Sequence, residues 1–261
     1  MDQELSEEHQ QVRDAILAKV PEDAEPLFIG IAGSRAKHMN SPGSDFDCKV
    51  IVKYPRSSYM LQAITATRNF KTEVKGIEVE GQIMDALTMI RYSTDTNPTA
   101  YDTFSSIPVF ETETSNAIKQ FYLDSYHPRC IQDHAVGMLA NYRNKSLQDP
   151  AKAPKHSPKK QLTPLQPGYV TNLKLAGESI YLCLKVIFTQ NNKQLPPPFK
   201  INELLEQTEK MLDADTKKWI DDLVEARMKD KTAAYETTAE FCQFVDKCMQ
   251  EKRDDKDKEA N

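Results

Sequence analysis

With 261 residues, 39% of them apolar and 28% charged, the chain is long enough to bury a substantial core and has ordinary globular composition. Its formal charge of −5 argues against a nucleic-acid coat protein, which needs a broad basic field; a polynucleotide would have to be held by a local patch. Five cysteines without a CxxC pair argue against a disulfide framework or zinc site and lead us to expect reduced thiols in a cytoplasmic compartment, and the lack of any run of about 18 apolar residues leads us to expect an unanchored protein.

Residues 6–20, SEEHQQVRDAILAKV, predict an amphipathic helix. Ser6 is the N-cap, Val12, Ile16 and Val20 recur at helical spacing, and Pro21 lies beyond the stop. The apolar run 26–32, PLFIGIA, predicts a buried strand broken by Gly33-Ser34. A polar loop follows through Gly43. Residues 45–54, DFDCKVIVKY, then predict a second, β-branched strand. In 76–84, GIEVEGQIM, Ile77 and Val79 alternate with Glu78 and Glu80, as in a strand with one acidic face. Residues 85–93 predict a helix, and Asn97-Pro98 caps another that runs to about Ser105.

From 112 onward the pattern is helical, with candidates at 112–124, 129–147, 168–190, 200–213, 215–230 and 232–250. Between them, 149–168 holds five prolines and four lysines and reads as a linker or loop. Residues 251–261 are a mixed-charge tail expected to fray. The expected fold class is α+β (mixed α/β). A catalytic core at 1–110, built on a small mixed β-sheet flanked by helices, precedes an α-helical domain at 111–250, with nucleotide lying between the halves.

The chemistry is carried by Gly33-Ser34-Arg35 and, ten residues after Ser34, Ser44-Asp45-Phe46-Asp47. Asp45 and Asp47 lie two apart on a strand, so their side chains project from one face. Carboxylates so placed repel unless a cation lies between them, and magnesium prefers carboxylate oxygens together with substrate phosphates. Gly33 lets backbone approach a phosphate, Ser34 supplies a hydroxyl, and Arg35 supplies a charged donor. A third carboxylate is expected from the acidic strand, Glu78 in first place and Glu80 close behind, since parity alone does not choose. A DxD by itself is a weak signal; its specificity comes from the ordered set of buried strand, GS, spacer, DxD and later acidic strand.

Other charged residues carry less. Arg143 and Lys145 could face a triphosphate or an RNA strand, but a helix C-terminus favours cations anyway. Lys152, Lys155, Lys159 and Lys160 fit a solvated linker better than a phosphate contact. Trp219 fits the apolar stripe of its helix.

The stretch GSRAKHMNSPGSDFDCKVIV resembles the signature of polymerase-β superfamily nucleotidyltransferases. Adding NPTAYDTFSSIPVF, HAVGMLANYRNKSL, GYVTNLKLAGESIYLCL and LPPPFKINELL, in that order, the chain resembles the RNA-ligase-associated predicted nucleotidyltransferases over about residues 27–210. The resemblance places Asp102 at a usually acidic position and Lys174 at a usually basic one. It also shows departures: Asp85 and Ala86 stand where a lysine is common, and Thr171 or Asn172 where a histidine is common.

The resemblance implies an enzyme that moves a nucleoside monophosphate from an NTP, such as ATP, to an acceptor hydroxyl, with two Mg2+ or Mn2+ ions. Asp45, Asp47 and Glu78 would be catalytic and metal-binding; Gly33, Ser34, Arg35 and Lys174 would bind the nucleotide. It implies an RNA end as acceptor, in RNA processing or repair. The alternatives are transfer to a protein or small molecule, and a catalytically silent nucleotide or RNA sensor.

Overall fold

The computed structural model describes residues 5–61, 64, 66–148 and 164–259. In chain order the elements are α1 (Glu7–Leu17), β1 (Glu25–Ile31), α2 (Gly33–Ala36), β2 (Phe46–Lys53), α3 (Arg56–Met60), β3 (Thr67–Val74), β4 (Ile77–Asp85), α4 (Ala86–Thr94), α5 (Pro98–Phe104), β5 (Ile107–Glu111), α6 (Glu113–Asp124), α7 (Pro128–Ser146), β6 (Val170–Asn172), α8 (Leu173–Asn191), α9 (Ile201–Thr208), α10 (Ala214–Lys229), β7 (Ala234–Glu236) and α11 (Ala239–Glu259). This is the mixed α+β class read from the sequence. The four lysines of the proline-rich stretch fall outside the described residues.

Contacts divide the chain into two compact units. The first comprises 1–39, 43–130 and 198–200, so it runs past residue 110 and takes in α6, which packs on α4 and β1. Its sheet has the order β3-β4-β2-β1-β5. β2 and β4 are parallel, and the remaining neighbours are antiparallel.

One face of this sheet makes the core. Phe46, Cys48, Val50 and Val52 of β2, with Val79 and Ile83 of β4, pack with Val12 and Ile16 of α1. Strand alternation therefore turns Asp47, Lys49, Glu78, Glu80 and Gln82 to the opposite, partly exposed face.

Asp85 ends β4 and starts α4. Its buried carboxylate accepts from the backbone N–H of Leu87 (3.0 Å) and Thr88 (3.2 Å) and from the Tyr59 hydroxyl (2.5 Å). The departure from a lysine at this point is thus a helix cap. Burial and the hydrogen bond to Asp85 push the Tyr59 phenol up to about 12, so it stays a donor across the neutral range. Asp85→Ala removes the cap and leaves the phenol without its acceptor. We expect a loss of about 3 kcal/mol, against about 1 kcal/mol for Tyr59→Phe, read as shifts in the urea unfolding midpoint.

The second unit comprises 40–42, 131–197 and 201–261. α8 is its centre: α9, α10 and α11 all contact it, and most of its residues are buried. Two short strands, β6 and β7, pair antiparallel inside segments expected to be helical. Asn172 accepts from Leu175 N at 2.9 Å and caps α8, which accounts for the second departure. α11 continues through Glu259, so the helix extends into the 251–261 stretch. Among the described residues, no helix is long and apolar enough to cross a membrane.

Candidate metal and nucleotide site

The site is built where β1 turns into α2. Ala32 N donates to the Asp47 carbonyl at 2.7 Å, which ties the end of β1 to the start of β2. Gly33 then takes φ +62°, a left-handed conformation that disfavours side chains. A Cβ on Gly33 would lie 1.9 Å from Asp47 Oδ2. The glycine is therefore what leaves room for the Asp47 carboxylate.

Arg35, expected to bind a phosphate, is engaged with the loop that follows it. Its Nη2 donates to the Ser44 carbonyl (2.7 Å) and its Nε to the Asp45 carbonyl (3.2 Å). The guanidinium lies 3.6 Å from the centre of the Phe46 ring, and Nη1 is 3.8 Å from Glu8 of α1. The planar fork, which suits paired acceptors and ring faces, fastens the turn that presents Asp45. Ser34 is partly exposed in the same one-turn helix.

The carboxylate that the sheet brings to Asp45 and Asp47 is that of Glu80, not that of Glu78. Parallel pairing sets Asp47 beside Glu80, and ligand oxygens of Asp45, Asp47 and Glu80 all lie within 4.8 Å of one another. Glu78 is instead paired with Lys71 of β3 at 2.5 Å, a contact that raises the Lys71 pKa. Its placement follows from register: Glu78 lies one alternation further toward the start of β4, opposite Glu73. Gly81, next to Glu80, permits the close approach of the two strands, since a Cβ there would lie 2.0 Å from the Cys48 carbonyl oxygen. A glycine inside a strand is the sequence signal for such an approach, and it is the signal by which Glu80 could have been preferred.

Three partly exposed carboxylates within this distance fit a hard cation such as magnesium or manganese, which takes oxygen ligands and retains water and phosphate positions. Beneath them Cys48 is buried, and its thiol is pushed up to about 12, first by burial and then by the charge of Asp47. Cys183, Cys242 and Cys248 are also buried, whereas Cys130 is half-buried, and all five are free. Alkylation of the native protein, followed by mass spectrometry, is therefore expected to label Cys130 well before the other four.

The remaining candidates lie in the second unit. Lys174 is exposed in the first turn of α8 and is not among the residues the sheet gathers. Arg143 is buried, with 1% of its side chain exposed, and its Nε donates to Asp246 at 3.1 Å. Asp246 also accepts from Leu165 N at 2.6 Å, so Arg143 holds the helical unit together rather than facing a phosphate. Trp219 is half-buried, edge-to-face with Phe244.

A mixed sheet that offers DxD behind a GS turn, with a third carboxylate from the parallel neighbour, is the arrangement of a polymerase-β-type nucleotidyltransferase. The sequence matches, over residues 7–261, the family described as the RNA repair pathway DNA polymerase beta family, RlaP. The chain belongs to that family. Among solved structures it is similar to a nucleotidyltransferase-like protein from Exiguobacterium sibiricum. The two are 12% identical, the match covers 94% of this chain and 75% of that one, and the TM-score is 0.32. No curated protein matches the chain.

Proposed function

We propose that the protein transfers a nucleoside monophosphate from an NTP to the terminal hydroxyl of an RNA, with divalent cations held by Asp45, Asp47 and Glu80. The observation that carries this reading is the meeting of those three carboxylates within 4.8 Å. They converge on the partly exposed end of the sheet face that lies opposite the Phe46–Val12 core. Asp45 and Asp47 are fixed by the Arg35 clamp and the Ala32–Asp47 hydrogen bond, so little reorganisation is needed to bind a cation. Glu80 completes the ligand set, and its carboxylate accepts the proton of the attacking RNA hydroxyl as that oxygen bonds to the α-phosphorus and pyrophosphate leaves with the broken Pα–O–Pβ bond. The Gly33-Ser34 turn, against Asp47, is where the triphosphate approaches. Bound magnesium or manganese would neutralise triphosphate charge and favour ionisation of the attacking hydroxyl. The RNA-repair description of the family supports RNA over other acceptors.

The test is incubation of the purified chain with each α-phosphate-labelled nucleotide, magnesium or manganese, and a pool of small RNAs and proteins. Label is expected on RNA, and chelation with EDTA is expected to abolish its transfer. Label on protein alone would replace the acceptor; nucleotide binding without transfer under any metal would replace the enzyme with a sensor.

A further inference from the structure

We propose that Lys49 and Lys71 hold the sugar–phosphate backbone of the RNA acceptor on the open face of the sheet, beside the carboxylates. This rests on the nucleotidyl-transfer reading of that face and adds to it the residues that grip the acceptor.

Strand register sets which side chains stand beside the carboxylates. On the exposed face the three strands form rows. Asp47, Glu80 and Lys71 stand side by side, and the next row is Lys49, Gln82 and Asn69. Lys71 is the neighbour of Glu80 on the sheet-edge side, with its side chain 65% exposed. Lys49 is two residues beyond Asp47 on β2 and partly exposed, and its Nζ donates to Gln82 Oε1 at 3.4 Å. In the row after that, Ile51 and Met84 are buried. On β2 and β4 the polar surface therefore ends at the Lys49 row, while exposed Thr67 of β3 continues it along the sheet edge.

The carboxylate group is thus bordered on two sides by ammonium and amide donors, and the Lys49–Gln82–Asn69 row contains no carboxylate. Two strand residues span roughly 7 Å, so Lys49 reaches past the reacting atoms to the adjoining part of an acceptor. A polyanion bound here presents its terminal hydroxyl to Glu80 and its preceding phosphates to the lysines. Such contacts position a chain without reading its sequence. They also supply the local patch that an acidic chain needs.

Glu78 gives the inference a signature of opposite sign. It ties Lys71 down and adds negative charge where a phosphate would come. Loss of its charge should strengthen RNA binding, which a purely structural ion pair would not do.

The experiment is fluorescence anisotropy of a short 5′-fluorescein single-stranded RNA with a free 3′-hydroxyl, titrated with the full chain over a range of salt. The double variant Lys49→Gln, Lys71→Gln should bind about tenfold more weakly. Its log–log salt slope should fall by roughly 1.4, about 0.7 for each phosphate no longer neutralised. Glu78→Gln should bind more tightly than wild type. Lys49→Arg with Lys71→Arg should retain binding, and circular dichroism checks that each variant is folded. Unchanged affinity and slope in the glutamine variant would overturn the inference, as would wild type that binds no RNA. A rise in nucleotide KM without loss of RNA affinity would also overturn it, assigning the lysines to the triphosphate. Failure of the broader reading looks different: RNA binding would respond to the lysines while wild type transferred no label.

Discussion

Glu80→Gln is expected to lower nucleotidyl transfer by roughly a thousandfold, about 4 kcal/mol of transition-state stabilisation, while Glu78→Gln retains transfer. The two residues are of the same type, lie on one strand and share one face, so composition, charge and local propensity are matched between the variants. They differ in what stands opposite. Glu80 is in register with Asp47, and its carboxylate joins those of Asp45 and Asp47. Glu78 is in register with Glu73 and pairs with Lys71. The amide keeps the shape of the carboxylate but removes the charge that, on the proposed function, holds a cation and accepts a proton. The measurement is kcat and KM for labelled nucleotide over a range of manganese and magnesium concentrations. A Glu80→Gln variant rescued by higher metal would mark Glu80 chiefly as a ligand; one that stays slow at saturating metal would mark its part in proton transfer. Comparable losses in both variants would remove Glu80 from its assigned place.

The same pair shows how far the sequence can be read. Parity places Glu78 and Glu80 on one face, and it does so from local alternation alone. Choosing between them requires the β2–β4 register, a pairing over more than thirty residues that no local pattern encodes. β1 and β2 are legible because they are buried runs interrupted by turn residues. β3 is not, because it is an edge strand with Asn69, Lys71 and Glu73 exposed, so its apolar side is reduced to Phe70, Thr72 and Val74. Its best signal lies in the turn: Lys75 and Gly76, with φ 49° and 80°, form the left-handed pair that closes a two-residue hairpin. The charge of Arg35 is plain in the sequence and suggests a phosphate, but its use is not plain. That use depends on two carbonyls and a ring nine to eleven residues away, which only the folded loop brings to it. β6 and β7, each three residues long, are too short to impose a period on helix-like surroundings.

Gly33→Ala is expected to abolish most transfer while costing the fold only about 1–2 kcal/mol, the usual penalty for a left-handed alanine. The two effects have different causes. Strain at φ +62° acts on stability, and it would be felt at any glycine with such a backbone. The loss of activity comes from the added methyl, which would lie 1.9 Å from Asp47 Oδ2 and 2.8 Å from Asp47 Cβ. A side chain met so close to its root has to swing away, and Asp47 would leave Asp45 and Glu80. Gly76 separates the causes, because its φ is +80° and a Cβ there would meet nothing within 4 Å. Gly76→Ala should therefore lose similar stability and keep its kcat. Urea unfolding and initial rates on the same preparations give both quantities. If the two variants lose activity alike, strain explains the loss and the clash does not. If Gly33→Ala alone is inactive yet folded, the glycine of the GS turn is there to make room for a carboxylate, a requirement distinct from that of approaching a phosphate.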